Sequence, residues 1–314
     1  MGAQLRDHFQ DRGIAMFQIA PGAATPARFT DSRAEHLATR RACGLFDFSF
    51  MACFEITGRD SLALLHHLQT RNLARLGEGR LAYTLLLRPE GTVLNDATVW
   101  RLGNDRYCLF VGRRADIAHV RPLAARYSVR FVDRSSELAV IAVQGGHAWA
   151  TIVRCLARAP AALPYYAFIE ARFGGAECWV GRLGYSGETG YELIVDAGLG
   201  PALWRALTDA GAVCGIAECG FDAADSLRIE AGHILFSREL VSPVTPFELG
   251  FTRLLDFHRE PAIGMAVLRD RRWREPREHL VGLLIDEDSA PSVAITDRDS
   301  TAPVEGTARV TSVC

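Results

Sequence analysis

A chain of 314 residues, 49% of them hydrophobic, is too long for one comfortable core and is expected to divide into two or three packed units. Thirty-five basic residues nearly balance 37 acidic ones, and the formal net charge of -2 gives no electrostatic reason for a nucleic-acid or anionic-membrane partner. Every basic residue is arginine, so a lysine Schiff base to pyridoxal phosphate and a Walker-type phosphate loop are both excluded.

The start, MGAQLRDHFQDRG, lacks the apolar stretch of a signal peptide. Residues 20–31 read as a loop with two prolines, after which Asp31 or Ser32 caps a helix running to about Ala42. Residues 45–58 alternate and are rich in aromatic and β-branched side chains, which predicts a strand. A helix is expected over 61–70. The runs 81–87 and 93–102 flank turn residues 88–91 and predict a hairpin, with a third strand at 107–112. A helix over 115–125, a buried strand over 137–145 and a helix over 147–157 follow. Residues 178–195 read as two strands around a glycine-rich turn, and helices are expected at 201–211 and 224–232. An arginine-rich linker, 269–278, precedes short strands at 279–285, 291–295 and 308–313. Mixed helices and antiparallel strands predict an α+β class, not a doubly wound sheet.

No Cys-x-x-Cys pair and no helical His-x-x-x-His pair occurs, so neither a disulfide framework nor a zinc site is expected. No window approaches the roughly 18 apolar residues of a membrane helix. A cytoplasmic protein without membrane or nucleic-acid partners is the expectation.

Five local features invite chemistry, each with a plainer reading beside it. Asp96 sits among alternating apolar residues; burial would raise its pKa and suit it to proton transfer, although an acid bonded to turn amides looks the same in sequence. Gly181, Gly184, Gly187 and Gly190 recur every third residue, which fits a hairpin better than a phosphate loop. Asp225 and Arg228 are three apart on one helix and read as an ion pair. LPYYAF (163–168) is core or a ring-stacking platform, and the cluster 269–277 is a solvated linker.

Together and in order, GLFDFSFM, LAYTLLL, EGTVLNDATVW, AVQG, LPYYAF, RLGYSGETGYEL, ADSLRIEAG, TPFELGF and HLVGLL resemble the glycine-cleavage T-protein (aminomethyltransferase) superfamily. The resemblance covers roughly residues 35–313 and implies a three-domain α+β cloverleaf around a folate-holding centre. The implied units are 1–50 with 135–245 for folate binding, 51–134 carrying Asp96, and 246–314 as a shortened C-terminal β-barrel or jelly-roll domain. It implies a tetrahydrofolate-dependent one-carbon transferase with Asp96 as catalytic carboxylate. Met51, Tyr83, Val111, Tyr185, Glu192 and Arg228 match folate-contacting positions, and Arg253 and Tyr166 stand on the expected donor side.

The chain departs from the family pattern in places. Ser-His-Met becomes Ser49-Phe50-Met51, the paired acids become Asn95-Asp96, and Gly-Gly becomes Gly91-Thr92. The usual asparagine is Gly112, the usual tryptophan is Arg253, and no Asp-Phe-x-Gly-Trp element precedes Glu35. These changes point to a donor other than that of glycine cleavage, such as an N- or O-methylated small molecule. A carrier or flavoprotein partner, and a catalytically silent folate-binding subunit of a larger oxidase, are the alternatives. An accessory protein of the iron–sulfur assembly branch is disfavoured, because Ala231-Gly232-His233 stands where that branch carries Lys-Gly-Cys.

Overall fold

The structure is a computed structural model that describes residues 3–118, 120–156, 162–240, 242–260, 262–271, 276 and 279–282. In chain order its elements are α1 (Ala3–Asp11), β1 (Met16–Ala20), β2 (Ala23–Pro26), α2 (Ser32–Arg41), β3 (Cys43–Asp47), β4 (Ala52–Thr57), α3 (Ser61–Leu68), β5 (Arg80–Leu87), β6 (Val93–Gly103), β7 (Arg106–Val111), α4 (Val120–Ala124), β8 (Arg130–Asp133), β9 (Leu138–Gln144) and α5 (Ala148–Cys155). They continue with β10 (Phe168–Phe173), β11 (Ala176–Gly181), β12 (Gly190–Asp196), α6 (Gly200–Gly211), β13 (Ile216–Glu218), α7 (Phe221–Glu230), α8 (Phe236–Glu239) and α9 (Met265–Arg271). Single-turn 3₁₀ segments punctuate them, among them Arg114–Ile117 and Thr252–Leu254.

Two sheets organise the molecule. One has the order β10-β11-β12-β9-β3-β13, antiparallel throughout except that β13 lies parallel to β3. The other has the order β5-β6-β7-β4-β8 and is antiparallel throughout. Because strand side chains alternate between faces, each sheet feeds two cores. Behind the first sheet, α1, α5 and α6 bury Leu5, Ile152 and Trp204 against Leu45, Ile141 and Leu193. Behind the second, α3 and α4 bury Leu64, Leu65 and Val120 against Phe54, Val99 and Leu109. The remaining faces meet each other: Phe46, Val140, Ala142 and Trp179 of one sheet share a core with Leu81, Trp100 and Phe110 of the other, closed by Phe221 and Leu227 of α7.

The expected helices and hairpins are present, with instructive differences. Asp31 caps α2 by accepting the Ala34 N–H at 2.9 Å. β5 and β6 form the expected hairpin, and Gly91 takes the positive φ of 86° that its turn requires. The expected strand 45–58 is two strands in different sheets. The break falls at 48–51, where the Phe48 N–H bonds to the Val140 carbonyl and the Met51 N–H turns back onto the Phe48 carbonyl. The loop 20–31 contains β2, which pairs with β1. The helix expected over 115–125 is a 3₁₀ turn followed by α4. The start of the arginine-rich linker is helical to Arg271. The expected strands at 291–295 and 308–313 lie outside the described residues, as does most of 279–285, whose residues 279–282 carry no strand.

Among the described residues, no helix is long and apolar enough to cross a membrane.

Candidate active site

The face of β5 and β6 that meets the first sheet carries Tyr83 and Asp96. Tyr83 pairs with Thr98 and Leu85 pairs with Asp96, so Tyr83 and Asp96 are diagonal neighbours on one face, within reach of an aromatic side chain. The Tyr83 hydroxyl donates to the Asp96 carboxylate. Asp96 is half-buried, and removal from water pushes its pKa up to about 6, with the Tyr83 bond and its own backbone N–H holding it from rising further. Tyr83 itself is held well above its usual value by burial and by the Asp96 charge. A carboxyl poised near neutrality can give or take a proton at physiological pH.

The first sheet carries a second acid, Glu192 of β12. It pairs with Gly181 on one side and Ala142 on the other, and Ala142 lies in the core shared by the two sheets. Glu192 is buried, and among the described residues no hydrogen bond or ion pair reaches its carboxyl. Burial alone pushes its pKa up to about 7. A buried acid without a donor is costly, and such groups mark places where a ligand's donors are received.

Three half-buried aromatic or thioether side chains line the same interface. Met51, Tyr166 and Tyr185 all pack against the core between the sheets. Tyr185 donates to the Ile234 carbonyl at 2.9 Å and stacks on His233, ring centroids 5.9 Å apart at 13°. Burial raises the Tyr185 phenol, and the nearby Asp96 charge adds to the rise while Arg228 opposes it. Tyr166 feels Glu192 in the same way. Its backbone is bonded to both sheets, through the Leu81 N–H on its carbonyl and its own N–H on Arg182, at a φ of 55°. A non-glycine residue at such an angle costs on the order of 1–3 kcal/mol and is retained where the surroundings over-determine it. Thus LPYYAF is neither plain core nor free platform; Tyr165 is exposed and Tyr166 faces inward.

Arg228 is 2% exposed and fully engaged. Its guanidinium donates to Asp225 at 2.9 Å, to Glu239 at 3.0 Å and to the His233 carbonyl at 3.1 Å, while Arg238 bonds the other Asp225 oxygen at 2.8 Å. The expected intrahelical pair is present, within a network that pins α8 and residues 233–235 to α7. Two expected residues stand apart from the cluster. Val111 pairs with Ala97 and projects into the core behind the second sheet, on the face opposite Asp96. Arg253 is exposed on the 3₁₀ turn Thr252–Leu254, two residues beyond Phe251, whose ring meets Tyr83 at 6.2 Å.

One participant escaped the sequence reading. Gln144 ends β9, is 1% exposed, accepts the Ser186 hydroxyl at 2.9 Å and leaves its amide nitrogen without a partner among the described residues. A Cβ at Gly184 or Gly190 would lie 2.2 and 2.3 Å from its side-chain oxygen. The period-three glycines therefore make room: two for Gln144, and Gly181 for the Trp100 ring, 2.3 Å from its virtual Cβ. The connection 182–189 is a wrap over these side chains and not a tight turn. It is fastened by Arg40, which donates to the Ser186 carbonyl at 2.8 Å and to Glu188 at 3.0 Å.

Comparison with known proteins agrees with this layout. The family model described as the GCVT N-terminal domain matches residues 5–259. The aminomethyltransferase of Streptomyces avermitilis is 35% identical over 287 residues, covering 89% of this chain and 77% of that protein. That of Bacillus subtilis is 34% identical over 271 residues, covering 85% and 75%. In fold, the crystal structure of the glycine cleavage system aminomethyltransferase T from Bartonella henselae superposes with a TM-score of 0.78 at 24% identity, covering 87% of this chain and 75% of that one. The Asp96 hairpin, the Glu192 strand and the Arg228 helix all fall within the matched span, and the chain belongs to the glycine-cleavage T-protein superfamily.

Proposed function

We propose that this protein is a tetrahydrofolate-dependent one-carbon transferase that uses Asp96 as its proton-handling carboxylate. The observation that carries the reading is a pair of carboxyls held in the neutral range, Asp96 and Glu192, one on each of two sheets whose faces share an aromatic-rich core. The site suits a flat heterocycle with N–H edges, because the buried Glu192 carboxyl has no donor among the described residues and can accept two parallel N–H groups. When bound, a reduced folate would supply the nucleophilic nitrogens that receive the carbon. Tyr83 fixes the orientation of Asp96; Asp96 orients the receiving group and exchanges its proton; Tyr166, Tyr185 and Met51 exclude water. On this reading residues 1–50 with 135–245 hold the folate, 51–134 present Asp96 and 246–314 form a third unit.

The donor is proposed to differ from that of glycine cleavage. Phe50 occupies the family's histidine position and packs on Phe48 at 5.7 Å and Phe221 at 6.2 Å, so that position offers no polar group to a donor. An N- or O-methylated small molecule with Arg253 at the entrance is the proposed class. The same loss favours, as a second reading, a silent folate-binding subunit that works with a flavoprotein partner.

The test is anaerobic calorimetric titration of tetrahydrofolate into wild type and Asp96→Asn, followed by a screen of methylated amines. Micromolar binding with turnover that Asp96→Asn abolishes is expected. Binding without turnover of any donor would favour the silent subunit, and absence of binding would overturn the folate reading.

A further inference from the structure

Just outside the carboxyl pair, the chain fixes one residue with unusual care. Gln69 follows α3 and is fully buried. Its side-chain oxygen accepts the Arg71 N–H and the Thr84 hydroxyl, each at 2.6 Å, while its amide donates to the Arg71 carbonyl at 2.6 Å. The Asp256 N–H binds the neighbouring Thr70 carbonyl at 3.0 Å. Fixing a residue's backbone costs conformational entropy, and this clasp offsets that cost before any ligand arrives.

The side chain so presented is exposed. Arg71 donates one N–H to the Tyr83 carbonyl at 3.2 Å and has no carboxylate partner among the described residues. Arg12, Arg40, Arg106, Arg114, Arg134 and Arg228 each pair with an acid instead. A guanidinium has five donors, so the Tyr83 bond leaves a free two-pronged edge. The location is also specific. Tyr83 is the residue that bonds Asp96, and the Arg71 charge reaches the Tyr166 phenol, which also feels Glu192. The exposed Tyr165 ring meets Tyr166 at 4.4 Å and extends the apolar wall outward.

The site is therefore polarised, with the Asp96 and Glu192 carboxyls inside and the Arg71 guanidinium, which has no carboxylate partner among the described residues, at its edge. A molecule with an N–H-rich flat end and an anionic end matches that polarity in one direction only. We propose that Arg71 is the carboxylate-recognising residue of this cleft, gripping the anionic end of the bound molecule through its free guanidinium edge. The inference rests on the reduced-folate reading above. The carboxylate belongs either to the glutamyl end of the folate or to an amino-acid-like donor.

The test titrates three probes anaerobically into wild type, Arg71→Gln and Arg71→Lys: tetrahydrofolate, 6-methyltetrahydropterin, and N,N-dimethylglycine on the folate-loaded protein. Arg71→Gln should weaken one carboxylate-bearing probe by roughly 5- to 30-fold, with Arg71→Lys between it and wild type. A loss for tetrahydrofolate with the tail-less pterin unchanged assigns the grip to the glutamyl end. A loss for dimethylglycine alone assigns it to the donor. Unchanged binding of every probe, or an equal loss for the tail-less pterin, overturns the role of Arg71 while leaving the folate reading intact. Failure of wild type to bind either pterin overturns the folate reading itself, and the Arg71 proposal with it.

Discussion

Trp100 and Gly181 meet where the two sheets face each other, and a Cβ at position 181 would lie 2.3 Å from the Trp100 ring. Trp100 is fully buried, so its ring has no free volume to retreat into. Gly181→Ala should therefore destabilise the protein by about 1–3 kcal/mol. Chemical denaturation monitored by tryptophan fluorescence measures the loss. The double variant Gly181→Ala with Trp100→Phe should lose less than the sum of the single changes; additivity would show that the two residues do not share that space.

Asp96 and Glu192 give the protein a characteristic pH response. Asp96 at about 6 and Glu192 at about 7 both lie above the usual carboxylate values of 3.8 and 4.5. The folded state therefore holds these protons more tightly than the unfolded chain, and stability falls as pH rises from about 4 to 7. Asp96→Asn and Glu192→Gln remove that loss. Each variant should match wild type near pH 4 and exceed it by about 1–3 kcal/mol at pH 8. Urea midpoints across that pH range measure the difference. A variant gap that stays constant with pH would show that neither carboxyl titrates in this window.

Arg228 poses the opposite problem, a buried cation whose partners are also buried. Arg228→Ala leaves Glu239 and Asp225 without their main cation and should cost about 3–5 kcal/mol. Arg228→Met with Glu239→Gln removes the stranded charge and should recover part of the loss. Were Arg228 held only for a ligand, Arg228→Ala would leave the urea midpoint unchanged and affect binding alone.

How much of this was legible from sequence depends on range. The β5–β6 hairpin was readable because alternation and turn chemistry are local, and so was the α2 cap at Asp31. That Tyr185 lies near Asp96 and Tyr166 near Glu192, with Met51 against the same core, was reachable only through resemblance, since those residues lie on different elements. Val111 shows the limit of that route: a matched position does not say which face of a strand a side chain takes. Gln144 was hidden because one amide at the end of an apolar strand looks like its terminus. The glycine spacing was its signal, but it pointed to the space and not to the side chain that fills it. The parallel strand β13, three residues long, has too few residues to show any period.

Phe50 offers a test of the proposed change of donor. Phe50→His places a polar imidazole between the Phe48 and Phe221 rings. Phe50 is only half-buried, so the ring nitrogens can reach water at one edge and the cost should stay near 1–2 kcal/mol. Thermal melting measures that cost. The functional expectation is separate: if the apolar cluster sets donor choice, Phe50→His should change the relative turnover of methylated amines while leaving tetrahydrofolate affinity within about twofold, a shift of less than ~0.5 kcal/mol. Equal loss of all donors would mean the substitution disturbs the proposed folate site as a whole. An unchanged donor profile would remove Phe50 from the account of specificity and leave the rim residues to set it.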